Sequence, residues 1–170
     1  MKMLRLKKLI IASDHAGFGL KEKLRSYLEK KGLAVKDLGA YSKQRCDYPL
    51  FAYNLAKEIR DGKYIRGILV CKTGIGNSIV ANRLEGVRAA LCYNIKAARL
   101  SREHNDSNVL VLGSAFVNAE LAKKILLVWL NTPFKGGRHK KRLDQIKEIE
   151  RKIKKCFNAD SRKSNADFRK

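Results

Sequence analysis

A short run from Cys71 to Gly76 combines a thiol with a glycine-rich turn. Its residues are Cys71, Lys72, Thr73, Gly74, Ile75 and Gly76. Glycine lets the backbone turn tightly and present bare N–H groups, and the start of a helix favours negative charge. The run can therefore hold a phosphate, a carboxylate or a developing oxyanion. We expect the helix start and Lys72 to lower the pKa of the Cys71 thiol, which would then act as a base or nucleophile.

The same run has a plain structural alternative. It could be a tight turn, with Cys71 serving as a small buried side chain. It matches neither the GxxxxGK[ST] phosphate loop nor the GxGxxG dinucleotide motif. On its own, then, the run does not define an activity.

Two further polar clusters could take part in chemistry. Arg138 and Arg142 lie one helical turn apart, so both guanidinium groups can reach one anion. His104 precedes Asn105 and Asp106, and a histidine can donate a proton near pH 7. The alternatives are a solvated basic helix start for the arginines and a polar helix end for the histidine.

The elements that position these clusters are short β-rich runs that alternate with helical patterns. The predicted strands cover residues 8–13, 33–38, 66–71, 87–92 and 108–112. Five strands separated by helices predict a parallel, doubly wound α/β sheet. Ligands bind outside the carboxyl ends of such strands. Asp14 and His15 follow the first strand and Cys71 ends the third, so we expect these residues to share one edge of the sheet.

The C-terminal part of the chain carries a helical pattern with no strand after it. Ile146, Ile149 and Ile153 recur at helical spacing within a helix predicted over residues 142–157. This helix could pack on its own domain or on a second subunit. Residues 158–170 are polar and rich in Ser, Lys and Arg, and we expect a disordered basic tail. The predicted organisation is one domain at 1–157 and a tail at 158–170.

Composition excludes several classes of protein. The 170 residues are 45% hydrophobic and 8% aromatic, which excludes wholesale disorder. No apolar run approaches the roughly 20 residues that cross a bilayer. The four cysteines contain no CxxC pair, so neither a zinc ribbon nor a thioredoxin-type site is indicated, and we expect free thiols in the cytoplasm. The net charge of +22 suits nucleic acid, an anionic membrane or phosphorylated small molecules as partners, although a solvated surface is the favoured explanation for most of the lysines.

Several motifs taken together resemble the ribose-5-phosphate isomerase type B family, within the ribose/galactose isomerase superfamily. They occur in the family's order from about residue 8 to 150. The matching stretches are Ser13 to Gly17, Asp47 to Pro49, Cys71 with Thr73 to Gly76, Ile79 to Asn82, Gly86 to Ala90, Arg102 to Leu110, and Gly136 to His139 with Arg142.

The resemblance implies a fold, a reaction and an assembly. The fold would be a Rossmann-like α/β/α sandwich with a five-stranded parallel sheet and a C-terminal helix. The reaction would interconvert ribose 5-phosphate and ribulose 5-phosphate through an enediolate, with no metal and no cofactor. The assembly would be a homodimer, or a dimer of such dimers, with active sites at the subunit interface. It implies no membrane and no specific nucleic acid as partners.

The resemblance also implies a role for each site residue. Cys71 would move the proton between C1 and C2 of the sugar, and His104 would help to open the furanose ring. Thr73 and the amides of Gly74, Ile75 and Gly76 would stabilise the enediolate oxygen. The sugar and its phosphate would be bound by Asp14, His15, Tyr48, Asn105, Arg138 and Arg142.

Two residues depart from the family pattern inside the site. Lys72 stands where the family usually has glycine, and Ala115 stands where many members have an arginine that contacts substrate. Lys72 could touch the ligand and partly compensate for Ala115. We therefore include Lys72 among the expected substrate-binding residues.

Three alternatives to a ribose 5-phosphate isomerase stay open. The nearest is an isomerase of allose 6-phosphate or galactose 6-phosphate, although the motifs at His104 and Arg138 favour the ribose branch. The second is an inactive member, which Ala115 suggests. The third is a nucleic-acid-binding protein, which the net charge suggests, although no helix-turn-helix or aromatic-basic RNA motif is present.

Overall fold

The computed structural model describes the backbone of residues 9–167 and the side chains of residues 9–156. Strands and helices alternate through most of this range. In chain order they are β1 (Leu9–Ser13), α1 (Phe18–Lys30), β2 (Val35–Asp37), α2 (Tyr48–Arg60), β3 (Arg66–Cys71), α3 (Ile75–Ala81), β4 (Ala89–Leu91), α4 (Ile95–Asn105), β5 (Val109–Gly113), α5 (Ala119–Asn131) and α6 (Arg138–Asp167). In residues 9–167, no helix is both long and apolar enough to cross a membrane.

The five strands form one parallel sheet in the order β2-β1-β3-β5-β4. Ser13 pairs with Val70, and Cys71 pairs with Gly113, so β1, β3 and β5 end at the same edge. After β1 the chain returns to the edge strand β2, whereas after β3 it crosses to the opposite side of the sheet. The carboxyl ends of β1 and β3 therefore flank the point where the winding direction reverses, which is where such sheets bind ligands.

Helices cover both faces of the sheet, which gives three layers. One core cluster joins leucines of α1, Ala98 of α4 and apolar residues of α5 to the sheet side chains Ile11 and Val70. The other joins α2 and α3 to Ile10 and Leu69. This confirms the predicted α/β/α sandwich.

Two helices begin directly after an asparagine that caps the first turn. The side chain of Asn94 accepts the backbone N–H of Ala97 at 2.8 Å. Asn118 accepts the N–H of Leu121 at 2.9 Å. Each bond satisfies a donor that the first helical turn leaves without a partner.

Some element bounds differ from the prediction. β2 and β4 are three-residue strands, because at both edges of the sheet only a short stretch finds a neighbour to pair with. Helix α6 begins at Arg138 rather than Arg142, and it continues past Phe157 to Asp167. The chain divides into a sandwich that ends at Lys135 and a second unit that contains α6. The disordered tail stays a prediction, and its last three residues lie outside the described range.

Lys21 is a buried charge inside helix α1. Its side chain is fully buried, and its ammonium lies 2.5 Å from Asp37 Oδ2 and 2.9 Å from Glu22 Oε1. The other oxygen of Asp37 accepts the N–H of Gly39 at 2.9 Å. Lys21 thereby fixes the start of the loop that runs from β2 to α2.

Candidate active site

Cys71 lies at the last position of β3 with its sulfur surrounded by backbone donors. The residue is only 4% exposed. The N–H of Gly74 donates to Sγ at 3.0 Å, and the N–H groups of Thr73 and Asn77 also interact with it. Gly74 has φ +82°, a conformation that costs a residue with a side chain considerably more than glycine. The glycine-rich turn therefore does present N–H groups, and it presents them to the thiol.

The pKa of the Cys71 thiol is raised, which corrects the expected lowering. Burial has the largest effect and raises the pKa; the N–H of Gly74 opposes it, and the carboxylate of Asp14 raises it further. The prediction relied on the helix start and Lys72. However, α3 has only seven residues, and Lys72 is exposed, so neither outweighs the desolvation of a thiolate.

Asp14 and His15 follow β1 at the same edge of the sheet. Asp14 is 7% exposed, and its Oδ1 accepts the N–H of Gly17 at 2.8 Å, which holds the turn into α1. A Cβ at Gly17 would collide with the carbonyl of Val70, so glycine is needed for α1 to start so close to β3. His15 Nδ1 lies 2.8 Å from the carbonyl oxygen of Cys46. The loop before α2 therefore folds back onto the site.

Tyr48, Thr73 and Gly76 line the same edge of the sheet. A Cβ at Gly76 would collide with the ring and hydroxyl of Tyr48, so the tyrosine packs directly on the glycine turn. Thr73 Oγ1 accepts the N–H of Ile75 at 3.3 Å. The structure thus brings Tyr48, predicted from the motif before α2, to the turn that follows β3.

The two departures from the family pattern are neighbours. The N–H of Ala115 donates to the carbonyl of Lys72 at 2.9 Å. One residue earlier, Ser114 N–H donates to the carbonyl of Cys71 at 2.8 Å. Both Lys72 and Ala115 are exposed, so the two departures lie next to each other at the surface.

His104 and Asn105 are the last two residues of α4 and lead into the turn that begins at Asp106. Asp106 follows them with φ 44°. Its carboxylate binds Arg102 Nη1 at 2.7 Å and Arg88 Nη2 at 2.9 Å. Arg88 and Arg102 belong to two separate motifs of the resemblance. Both bind Asp106 and so fix the turn that directly follows His104 and Asn105.

This turn is at the opposite end of the sheet from Cys71. Residue 108, just after the turn, accepts the N–H of Gly67 with its carbonyl at 2.9 Å, and Gly67 is near the start of β3. Gly67 and Cys71 are four positions apart on the strand, which is roughly 13 Å along β3. Within one chain, the structure does not bring His104 and Asn105 to Cys71.

Arg138 and Arg142 occupy the first two turns of α6. Both are exposed, and four residues of helix separate their Cα atoms by roughly 6 Å along the axis. This spacing allows both guanidinium groups to reach one anion, and binding of the substrate phosphate by the two arginines stays a prediction. The helix predicted over residues 142–157 leaves Arg138 outside, whereas both arginines are helical.

One polar residue beside Cys71 is absent from the predicted site residues. Asn77 is 1% exposed, and neither atom of its amide has a hydrogen-bond partner among the described residues. Its place directly after the glycine turn was the available signal, but burial of the amide could not be foreseen from the sequence.

Comparison with known proteins places this geometry in a family. The model of the ribose/galactose isomerase family matches residues 9–146. The chain is 44% identical over 147 residues to ribose-5-phosphate isomerase B of Escherichia coli, covering 86% of this chain and 99% of that protein. It is also 40% identical to D-erythrulose-4-phosphate isomerase of Pectobacterium atrosepticum, covering 86% and 97% of the two chains.

Solved structures agree with these relatives. Ribose-5-phosphate isomerase B of Mycoplasma genitalium, solved with bound ribulose 5-phosphate, superposes with a TM-score of 0.81 at 41% identity. The alignment covers 84% of this chain and 95% of that one. The Clostridium thermocellum enzyme gives a TM-score of 0.84 at 45% identity, over 86% and 99% of the two chains. The chain therefore belongs to the ribose/galactose isomerase family.

Proposed function

We propose that this protein interconverts ribose 5-phosphate and ribulose 5-phosphate, as an aldose–ketose isomerase of the pentose phosphate pathway. The observation that carries the proposal is Cys71: a thiol at the edge of the sheet with backbone donors around its sulfur. The relatives named as ribose-5-phosphate isomerase B support the choice of substrate.

The Cys71 thiolate is the proposed base. It removes the proton from C2 of the open-chain aldose and returns it to C1, while O1 gains a proton and O2 loses one. The intermediate is an enediolate, and no atom enters or leaves the sugar. The raised pKa means that only a fraction of the thiol is ionised at neutral pH, and that the thiolate is a correspondingly strong base.

The glycine turn is proposed to stabilise the enediolate. Thr73 and the amides of Gly74, Ile75 and Gly76 supply donors next to the sulfur. The Gly74 N–H donates to Sγ in the free chain and stabilises the thiolate. This hydrogen bond weakens when the sulfur takes up a proton. Removal of one oriented donor of this kind typically costs about 3–4 kcal/mol of transition-state stabilisation.

The remaining residues are proposed to bind the sugar and its phosphate. Asp14 and Asn105 bind sugar hydroxyls, and Tyr48 lines the pocket. The phosphate is bound by His15, Arg138 and Arg142, which provide binding energy far from the reacting carbons. Lys72 adds a cation next to Ala115.

We further propose a homodimer with active sites at the subunit interface. The support is the position of His104 and Asn105 at the end of the sheet opposite to Cys71. Around one two-fold axis, each subunit can place its His104 next to Cys71 of the other subunit. His104 of one subunit would then assist ring opening at Cys71 of the other.

The proposed location is the cytoplasm. All four cysteines are free thiols, and a catalytic thiol must stay reduced, which the cytoplasm ensures.

A second candidate is an isomerase of another sugar phosphate. It is favoured by the relative that acts on D-erythrulose 4-phosphate and by Lys72 and Ala115, which change the charge pattern at the site. The test is turnover of ribose 5-phosphate beside allose 6-phosphate, galactose 6-phosphate and erythrulose 4-phosphate. The proposal expects the highest kcat/KM with ribose 5-phosphate. Negligible turnover of it beside good turnover of another substrate would overturn the choice.

A further inference from the structure

The side-chain amide of Asn77 is buried with its hydrogen-bonding capacity unused. The residue is 1% exposed, and among the described residues neither Nδ2 nor Oδ1 has a partner. An asparagine amide offers two donors and two acceptor positions. Buried polar side chains in folded proteins are nearly always paired, so an exception needs a specific reason.

Asn77 lies on the same side of the sheet as Cys71. Its backbone N–H interacts with Cys71 Sγ. One helical turn later, Ala81 packs into the α2/α3 core cluster together with Leu69. Leu69 and Cys71 are two residues apart on β3, so their side chains leave the sheet on the same face. The Asn77 side chain, one turn before Ala81 on α3, therefore belongs to the layer that packs on the Cys71 face of the sheet.

We propose that the Asn77 side chain is a further catalytic residue, whose amide hydrogen-bonds the oxygens on C1 and C2 of the sugar. This inference rests on the proposed function. A carboxamide suits both stages of the reaction: its N–H donates to the oxygen that becomes negative, and its carbonyl accepts from the hydroxyl that forms. The amide neither gains nor loses a proton near neutral pH, so it does not compete with Cys71 as a base.

Ser13 supplies a matched comparison within the same chain. Its hydroxyl is also fully buried and without a partner among the described residues. However, Ser13 lies two residues after Ile11 on β1, so both side chains leave the sheet on the same face. Ile11 packs in the core cluster on the face opposite to Cys71. Ser13 pairs in register with Val70 rather than Cys71. It therefore has the same unusual burial without access to the thiol.

The experiment compares Asn77→Leu with Ser13→Ala in the full chain. Thermal unfolding and steady-state kinetics with ribose 5-phosphate are measured for both variants and the wild type. Because each substitution removes polar atoms that have no partner, we expect a midpoint equal to or above that of the wild type in both cases. Asn77→Leu should lower kcat on the order of 100-fold with little change in KM, and Ser13→Ala should keep kcat close to that of the wild type.

The outcomes separate the inference from the function on which it rests. A folded Asn77→Leu variant with the kcat of the wild type would overturn the inference alone. An equal loss of kcat in Ser13→Ala would also overturn it, because burial rather than contact with substrate would then explain both. A wild-type chain that does not isomerise ribose 5-phosphate would overturn the function and the inference together. Should Asn77→Leu fail to fold, Asn77→Ala is measured in its place with the same expected loss.

Discussion

Two variants that are each impaired should restore activity to one another when their subunits are combined. The substitutions are Cys71→Ala, which removes the proposed base, and His104→Ala, which removes the proposed ring-opening group. In the proposed dimer, their positions at opposite ends of the sheet would give each active site Cys71 from one subunit and His104 from the other. In a mixed dimer, one site then carries both substitutions and the other site carries neither.

The expected magnitude follows from this geometry. A mixed dimer has one intact site of two, so its specific activity should be about half that of the wild-type dimer. Random combination of equal amounts gives mixed dimers in about half of the population, and the mixture should reach about one quarter of the wild-type activity. If both groups instead came from one chain, every site in the mixed dimer would carry one substitution.

The assay needs mixed dimers of known composition. The two variants are co-expressed with different affinity tags, purified through both tags in turn, and assayed for isomerisation of ribose 5-phosphate. The two parent dimers, carried through the same steps, set the baseline. A doubly purified dimer no more active than its parents would refute the shared site.

Two further predictions concern the charges that surround the site. Asp14→Asn removes the carboxylate that raises the pKa of Cys71, so the acid limb of the pH profile of kcat/KM should move to lower pH even though kcat/KM itself falls; an unmoved limb would contradict the assignment. Lys21→Ala leaves Asp37 without its buried cation and should lower the free energy of unfolding, measured in urea, by about 3–5 kcal/mol. The surface control Lys123→Ala should lower the free energy of unfolding far less. Equal losses in the two variants would show that the buried Lys21–Asp37 pair stabilises the fold no more than a surface ion pair does.

Local sequence signals predicted the fold well wherever one residue decides an element. Helices begin after Asn94 and Asn118 because each side-chain oxygen accepts an N–H of the first helical turn. This bond joins residues only three positions apart, so it does not depend on distant parts of the chain. β3 was predicted with its observed bounds because a fully buried strand is apolar throughout. The edge strands β2 and β4 were predicted too long, since their ends depend on which neighbour is available for pairing.

The site was predicted less completely because it depends on long-range packing. The raised pKa of Cys71 follows from burial and from Asp14, which is distant in sequence. Lys21 looks like a solvated helix residue until Asp37 is seen beside it. The resemblance identified His104, but only the strand order shows that it lies at the other end of the sheet. In each case the deciding neighbour belongs to a different element.

The central claim is that the sulfur of Cys71 moves the proton in the isomerisation. The most direct measurement is kcat for Cys71→Ser with ribose 5-phosphate, beside Cys92→Ser as the control. Cys92 is also a buried free cysteine, 1% exposed, but it lies within the core cluster of the opposite face. We predict that Cys71→Ser stays folded and loses about 10²–10⁴ in kcat, whereas Cys92→Ser turns over nearly as fast as the wild type. Near-normal turnover by Cys71→Ser would contradict the account.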